Sequence, residues 1–472
     1  MQPVVARPLP RSVLTGQLRE PALWDAVIIG GGATGLGIAV DVAARGLRVA
    51  LVERGDFGSG TSSRSTKLIH GGVRYLAQGN IALVREALTE RAVLARIAPA
   101  LVRPLEFVVP CYGRGERAIL RTGLGVYDLL AGSASLGPTR WMTRRETLAR
   151  IPGVREQGLR GGVSYWDAQF DDAAMAISLM QTACALGATA VNYVACEELV
   201  SRDGRIAEVL ARDVETGERF ALKTGCVFNA AGVWVDAIRA LACTADGPLA
   251  TVSQGSHLVL DRRFMTGDAA MLIPRTCDGR VLFVVPWYGA LLVGTTDVPR
   301  ADAPFDPRPA AVEVEFLLRS AGAYLAARPD EGDVRASFSG LRPLLRGSTL
   351  RRTARISRGH AVFIEAGNLV SVVGGKWTTY RRMAQDAVDA ARRARLLPAS
   401  PESPTREVLL VPPPFVPASA DDFRERVADA AFIGWASNFA QARTLDDIRA
   451  RRTRLDFLDT SSTTPATPSG AR

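Results

Sequence analysis

Between Trp24 and Glu53 the chain runs WDAVIIGGGATGLGIAVDVAARGLRVALVE, an order of residues that few folds can accommodate. Residues 25–29 form a short, nearly continuous apolar run, as expected of a strand covered on both faces. Gly30, Gly32 and Gly35 then make a G-x-G-x-x-G, and from Thr34 to Arg45 apolar residues recur at helical spacing until Gly46. Leu47–Val52 reads as a second strand with Glu53 at its end, 23 residues after Gly30. The first glycine permits a tight turn, the second lets the backbone approach a pyrophosphate, and the third lets the helix pack close to the strand. The helix N-terminus offers N–H groups and a positive dipole end to that pyrophosphate. An acid at the end of the second strand can accept hydrogen bonds from an adenosine ribose. Glycines alone would fit an ordinary βα turn; strand, glycines, helix, strand and acid in order point to a dinucleotide site.

A chain of 472 residues implies two or three domains, and its 47% hydrophobic content fits a globular protein. No run approaches the roughly 18–20 apolar residues needed to span a bilayer. Residues 1–23 lack an apolar signal core and read as a flexible leader. The six cysteines form no C-x-x-C and read as reduced thiols of a cytosolic protein. The three histidines, His70, His257 and His360, are not clustered, so no metal site is expected. The net charge is 58 − 48 = +10, and only Lys67, Lys223 and Lys376 are lysines. Such a balance favours anionic substrates or an anionic membrane surface. No basic helix interleaved with aromatics argues for nucleic acid.

Further along, residues 55–80 are loop-like, rich in Gly, Ser and Thr, and carry Arg64, Lys67, His70, Arg74 and Tyr75. A loop dense in such groups beside a cofactor fold reads as an active-site segment. Residues 114–137 are a basic amphipathic stretch that fits either a membrane interface or an ordinary surface helix. A buried strand leading into Ala230-Ala231-Gly232 lets a second backbone segment approach the cofactor. Residues 251–300 are strand-rich and read as a second, antiparallel sheet that carries His257. Arg342 opens a run of arginines that reaches Arg358, in which a forked anion site can form. A last buried strand, Gly374-Gly375, Lys376 and a long helix repeat the strand–glycine–helix arrangement.

A single nucleotide fingerprint at the N-terminus, with ring-side elements hundreds of residues later, is typical of FAD rather than NAD binding. A flavin that oxidises a carbinol accepts hydride at N5 and gains negative charge near N1, where Lys376 and the helix after Gly375 can stabilise it. A base must take the hydroxyl proton, and His70 and His257 are the candidates.

These segments resemble those of the FAD-dependent glycerol-3-phosphate dehydrogenases, within the glycine/D-amino-acid-oxidase-like flavoproteins. The resemblance rests on VIIGGGATGLGIAVDVAARG, GTSSRSTKLIHGGVRYL, YWDAQFDDA, FNAAGVWVD, QGSHLVL, VVPWYGALLVGTTDV, FSGLRPL, GGKWTTYRRMAQDAVD and RTLDDIRARRTRLDFLD. It implies oxidation of sn-glycerol 3-phosphate to dihydroxyacetone phosphate, with electrons passing through FAD to a membrane quinone. It implies a cytoplasmic protein, peripheral on the inner face of the membrane, and a possible homodimer. An oxidase of the same fold using O2, or a truncated non-catalytic flavin-binding protein, are the alternatives.

By this resemblance Gly30, Gly32, Ala33, Thr34, Gly35, Glu53 and Arg54 hold the nucleotide end of FAD. Thr61, Ser62, Ser63, Lys67, Leu68, His70 and Gly71 face the flavin, with Ala231, Gly232, Gly375, Lys376, Thr378 and Thr379. Arg74 and Tyr75 border the substrate pocket. His257 stands near the glycerol hydroxyls and is favoured over His70 as base. Arg342, Arg358 and Lys376 bind phosphate or flavin oxygens.

The expected architecture is α/β: a Rossmann-like FAD-binding domain from 24–100, 160–250 and 337–397, and an inserted, mainly antiparallel α+β substrate domain from 101–159 and 251–336. A linker at 398–420, a shortened C-terminal helical region at 421–458 and a disordered tail at 459–472 complete it. The chain departs from the family's pattern at Ala231, Val233 and Ala174, where Thr, Pro and Arg are common. The C-terminal region is also much shorter than in most members.

Overall fold

The computed structural model describes residues 9–73, 76, 79–113, 115–243, 247–276, 278–346 and 359–458. Arg74, Tyr75, Arg358 and the tail at 459–472 lie outside the described residues.

The apolar run Ala26–Ile29 is fully buried, as its composition requires, because it is central in a six-stranded sheet. The order across that sheet is His360–Glu365, Leu369–Gly374, Val227–Asn229, Ala26–Ile29, Val49–Glu53 and Thr189–Asn192. All neighbours are parallel except the first pair. Helix Ala33–Ala44 is buried around most of its circumference, with the helices Asp172–Ala185 and Tyr380–Arg393 packed against it. A helix apolar on all sides has to be enclosed in this way.

The second sheet has ten strands, among them Val102–Cys111, Gly161–Phe170, Ala250–Asp261, Leu282–Trp287, Ala290–Gly294 and Val334–Leu345. Most of its pairings are antiparallel, and Leu68–Ile69 joins its edge against Ala168 and Gln169. A small four-stranded sheet, Leu23–Trp24 with three strands between Val194 and Thr224, stands apart.

Two expected domain boundaries move. Gly161–Phe170 and Val334–Leu345 belong to the large sheet rather than to the nucleotide-binding part, since each pairs along its length with a strand of that sheet. The expected leader also contains structure: Arg11–Arg19 is a helix that buries Leu14 and Leu18, and Arg11 donates to the Asn192 side chain and carbonyl. The segment 398–420 is held down as well. Arg45 donates to the Pro401 carbonyl, Ser403 to Asp41, and Leu410 is buried.

The basic amphipathic stretch forms the helix Glu116–Ala131, which turns Leu124 and Tyr127 into the core and leaves Val126 and Leu129 exposed. No helix among the described residues is long and apolar enough to cross a membrane. The arginine-rich end does not continue as one helix. It breaks into Leu445–Asp447, a wide turn over Ile448–Arg452, and Leu455–Leu458. Arg451 and Arg452 turn inward onto Asp56, and Arg454 onto Asp172.

Candidate active site

Strand Ala26–Ile29 ends at Gly30, whose φ of +110° favours glycine. A Cβ there would sit 2.6 Å from the Ala230 carbonyl oxygen, and one at Gly35 would sit 1.9 Å from that of Gly30. The turn is therefore pressed against its own helix and against the segment Ala230-Ala231-Gly232. Gly32 caps the helix without a side chain, and Ser62 Oγ accepts the Ala33 N–H at 2.9 Å. Glu53 braces the turn: Oε2 accepts the Gly31 N–H at 2.6 Å and Oε1 the Gly55 N–H at 2.7 Å. Burial raises its pKa and these two bonds oppose the rise. Each oxygen retains a lone-pair site for a ribose hydroxyl. Thr34 is half-buried at the helix start and Arg54 is exposed.

The loop that follows is gripped from several sides. Thr61 Oγ1 donates to the Leu341 carbonyl. The Trp377 indole N–H donates to the Ser62 carbonyl at 2.8 Å, and the His70 N–H to Thr378 Oγ1 at 3.2 Å. The Gly71 N–H reaches the Tyr127 hydroxyl at 2.9 Å. Lys67, at φ +63°, turns its ammonium into the core, where Nζ donates to the Ser63 carbonyl at 2.8 Å and to Asp172 Oδ2 at 2.7 Å. The Lys67 side chain is fully enclosed, so a ligand can meet only the backbone there. Burial, with the neighbouring Arg454 charge, pushes its pKa down to about 7 against the pull of Asp172.

His257 projects from the strand Ala250–Asp261, only 2% exposed. Nε2 hydrogen-bonds with Thr66 Oγ1 at 2.9 Å, and the ring stacks on Phe338 with centroids 4.9 Å apart. Nδ1 is buried and has no hydrogen-bond partner among the described residues. Burial, then the charges of Lys67 and Arg342, hold its pKa well below the ordinary histidine value, so the ring is neutral.

Arg342 Nη2 donates to Thr295 Oγ1 at 3.0 Å and to the Thr296 carbonyl at 3.1 Å, with Asp297 at 3.6 Å. Gly255 makes room for it, since a Cβ there would lie 2.1 Å from Nη2. The His70 ring lies edge-on to Phe283, with centroids 6.1 Å apart. Lys376 is half-buried after Gly374 and Gly375, both at positive φ, and Thr378 and Thr379 are buried behind it. The cradle loop, the Lys376 turn and the His257 strand are thus linked by hydrogen bonds into one region.

Backbone pressed this close, a helix N-terminus capped by glycine and an acid beside it fit an extended adenine dinucleotide. A family model described as DAO, FAD dependent oxidoreductase, matches residues 25–381. The chain belongs to that family. FAD is its cofactor, and the fold is the family's Rossmann-like α/β arrangement.

The mitochondrial glycerol-3-phosphate dehydrogenase of Mus musculus is 39% identical over 415 residues, 85% of this chain and 57% of that protein. The probable glycerol-3-phosphate dehydrogenase of Encephalitozoon cuniculi is 37% identical over 404 residues, 84% of this chain and 66% of that one. The chain thus spans little more than half the length of the mammalian relatives it matches. The structure of the glycerol-3-phosphate dehydrogenase from Bacillus halodurans complexed with FAD superposes with a TM-score of 0.76 at 28% identity, covering 95% of this chain and 89% of that one.

Three side chains that sequence reasoning did not assign also shape this flavoprotein's site: Thr66 on His257, Asp172 under Lys67, and Arg454 beside both. Asp172 lies within YWDAQFDDA, but nothing in that string distinguishes it from Asp171, whose carboxylate caps the following helix. A cleft between Asp171, Phe415 and Trp435 is lined by none of the cradle residues or histidines.

Proposed function

We propose that this flavoprotein oxidises the secondary carbinol of sn-glycerol 3-phosphate to dihydroxyacetone phosphate and passes the electrons to a membrane quinone. The observation that carries the reading is the neutral, enclosed His257, with Nδ1 unengaged by the described residues and with the charges of Lys67 and Arg342 acting on it. FAD, when bound, accepts the hydride. His257 receives the hydroxyl proton as the C–H bond breaks. In the absence of an anion the neighbouring cations make it a weak base. A phosphate drawn to Arg342 and Lys376 offsets their field and raises the proton affinity of His257 when substrate is in place. His70, on the loop that follows the cradle, lies edge-on to Phe283 and is the less suited of the two. The names of the relatives support the substrate. Exposed Val126 and Leu129, on a chain of net charge +10, support a peripheral place on an anionic membrane face.

The test is anaerobic addition of sn-glycerol 3-phosphate to the holoprotein. The visible flavin absorbance is expected to bleach and to return faster with a soluble quinone analogue than with O2. His257→Gln is expected to slow bleaching by about 10²–10⁴-fold at unchanged FAD content. A folded, yellow wild-type protein that does not bleach overturns the reading. Peroxide formed in place of reduced quinone assigns the protein to the oxidases.

A further inference from the structure

The segment Thr444–Leu458 lies beyond the family match at residues 25–381, yet it reaches the centre of the site. Arg454 Nη2 donates to the Ser63 carbonyl at 2.9 Å and to Asp172 Oδ1 at 3.1 Å. Lys67 takes the same carbonyl and the other Asp172 oxygen. The Arg454 guanidinium lies 4.5 Å from the centre of the Phe457 ring. Phe457 in turn packs edge-on to Phe338 at 4.8 Å, and Phe338 is the ring on which His257 stacks. The loop, through Ser63, and the imidazole, through Phe338, meet at the Thr66–His257 hydrogen bond. Both are supported from the same four-residue stretch of the C-terminal segment.

We propose that Arg454 and Phe457 are positioning residues that hold His257 in register with the Thr61–Gly71 loop, so that the C-terminal segment completes the active site; this rests on the reading of His257 as the base. The planar fork of Arg454 spans a carbonyl and a carboxylate at once, which a point-charge ammonium cannot do equally well. A displacement of order 1 Å at the imidazole is enough to slow proton removal by about 100-fold. Charge couples the same groups. Lys67 is faced by Asp171, Asp172 and Arg454, and His257 by Lys67 and Arg342. Without the Arg454 charge, Lys67 keeps its proton to higher pH and goes on opposing protonation of His257.

The experiment is rapid-mixing measurement of flavin reduction by sn-glycerol 3-phosphate in the anaerobic holoprotein across pH. Arg454→Met is expected to lower the limiting rate by about 10- to 100-fold, to change substrate Kd by less than about 3-fold, and to move the pH midpoint of the rate upward. Arg454→Lys restores the midpoint and part of the rate. Arg381→Met breaks an equally buried ion pair, with Glu90, that touches none of these groups; it is expected to lower stability and leave the midpoint in place. A wild-type rate and midpoint in Arg454→Met, or a response no different from that of Arg381→Met, overturns the proposal.

Should Arg454→Met not fold, Phe457→Leu decides, because it removes only the ring. It is expected to slow reduction by about 2- to 10-fold and to shift the His257 proton resonances, because Phe338, on which the imidazole stacks, loses its edge-on support; the resonances are assigned by their loss in His257→Gln. Unchanged rate and resonances overturn the proposal. A wild-type protein that is never reduced instead defeats the functional reading, and the resonances still judge the positioning.

Discussion

The glycine cradle and the histidine pocket lie next to each other but are built on opposite terms. The cradle is made of backbone, most of it from neighbouring positions with Ala230-Ala231 pressed against it, and its decisive property is the absence of side chains: Gly30 and Gly35 leave no space for a Cβ. The pocket is made of side chains from segments far apart in sequence, and its decisive property is charge taken out of water. Lys67 and Arg454 are both buried, and each donates to a different oxygen of the buried Asp172. Taking charges out of water costs several kcal/mol per ion unless geometry and hydrogen bonds compensate. The cradle therefore tolerates no added atom, whereas the pocket tolerates no missing partner.

Removing a partner is the larger perturbation. Asp172→Ala leaves Lys67 and Arg454 facing each other without their shared carboxylate, and also strips Ser65 of its acceptor. The expected loss is about 3–5 kcal/mol in denaturant unfolding of the holoprotein. A loss below about 1 kcal/mol would mean that the cluster behaves like an exposed ion pair, and the contrast would collapse. Gly35→Ala tests the other side. Its Cβ would meet the Gly30 carbonyl, a backbone atom that cannot rotate away, so the turn must open. About 1–3 kcal/mol of stability should be lost, together with FAD retention on desalting. A variant that keeps stoichiometric FAD would show that the cradle is looser than its geometry implies.

This difference also governs what could be read from the sequence. The cradle was legible because each of its parts has a local signature at fixed spacing, and the strand, turn and helix stand where that spacing puts them. His257 and Arg342 stand out as candidates by residue type, but their roles come from the resemblance, since a histidine in a strand carries no local sign of what faces it. The resemblance places Lys67 among the residues that face the flavin but says nothing of where its side chain goes. Its left-handed backbone turns that side chain into the core, a conformation rare for a lysine and invisible in composition. RTLDDIRARRTRLDFLD has the spacing of an amphipathic helix, which says nothing of where its arginines find partners. The acids that draw Arg451, Arg452 and Arg454 inward, Asp56 and Asp172, lie hundreds of residues earlier, so no window along the chain contains both partners. Strand membership failed for the same reason: Gly161–Phe170 and Val334–Leu345 are strands in either sheet by pattern, and only pairing decides which.

The smallest effect separates the two regions by pH. Lys67 holds its proton less tightly in the folded chain, at about 7, than at its ordinary value of 10.5. Between those two values the unfolded chain binds the proton and the folded chain does not, so stability rises with pH throughout that window. Below it both states are protonated and the contribution is flat. From pH 7 to 8 the gain is about 1 kcal/mol. His257, held well below 6.5, adds the same sign further down: the unfolded chain protonates there, the folded chain resists, and acid destabilises. The buried acid of the cradle has the opposite sign. Glu53 titrates above its ordinary 4.5, so the folded form binds its proton more tightly and its contribution falls as pH rises through that range. Urea unfolding of the wild type at pH 7 and pH 8 should therefore show the gain, and Lys67→Met should abolish it. An equal gain in Lys67→Met would assign the pH response to some other group and would remove Lys67 as the titrating element of the pocket.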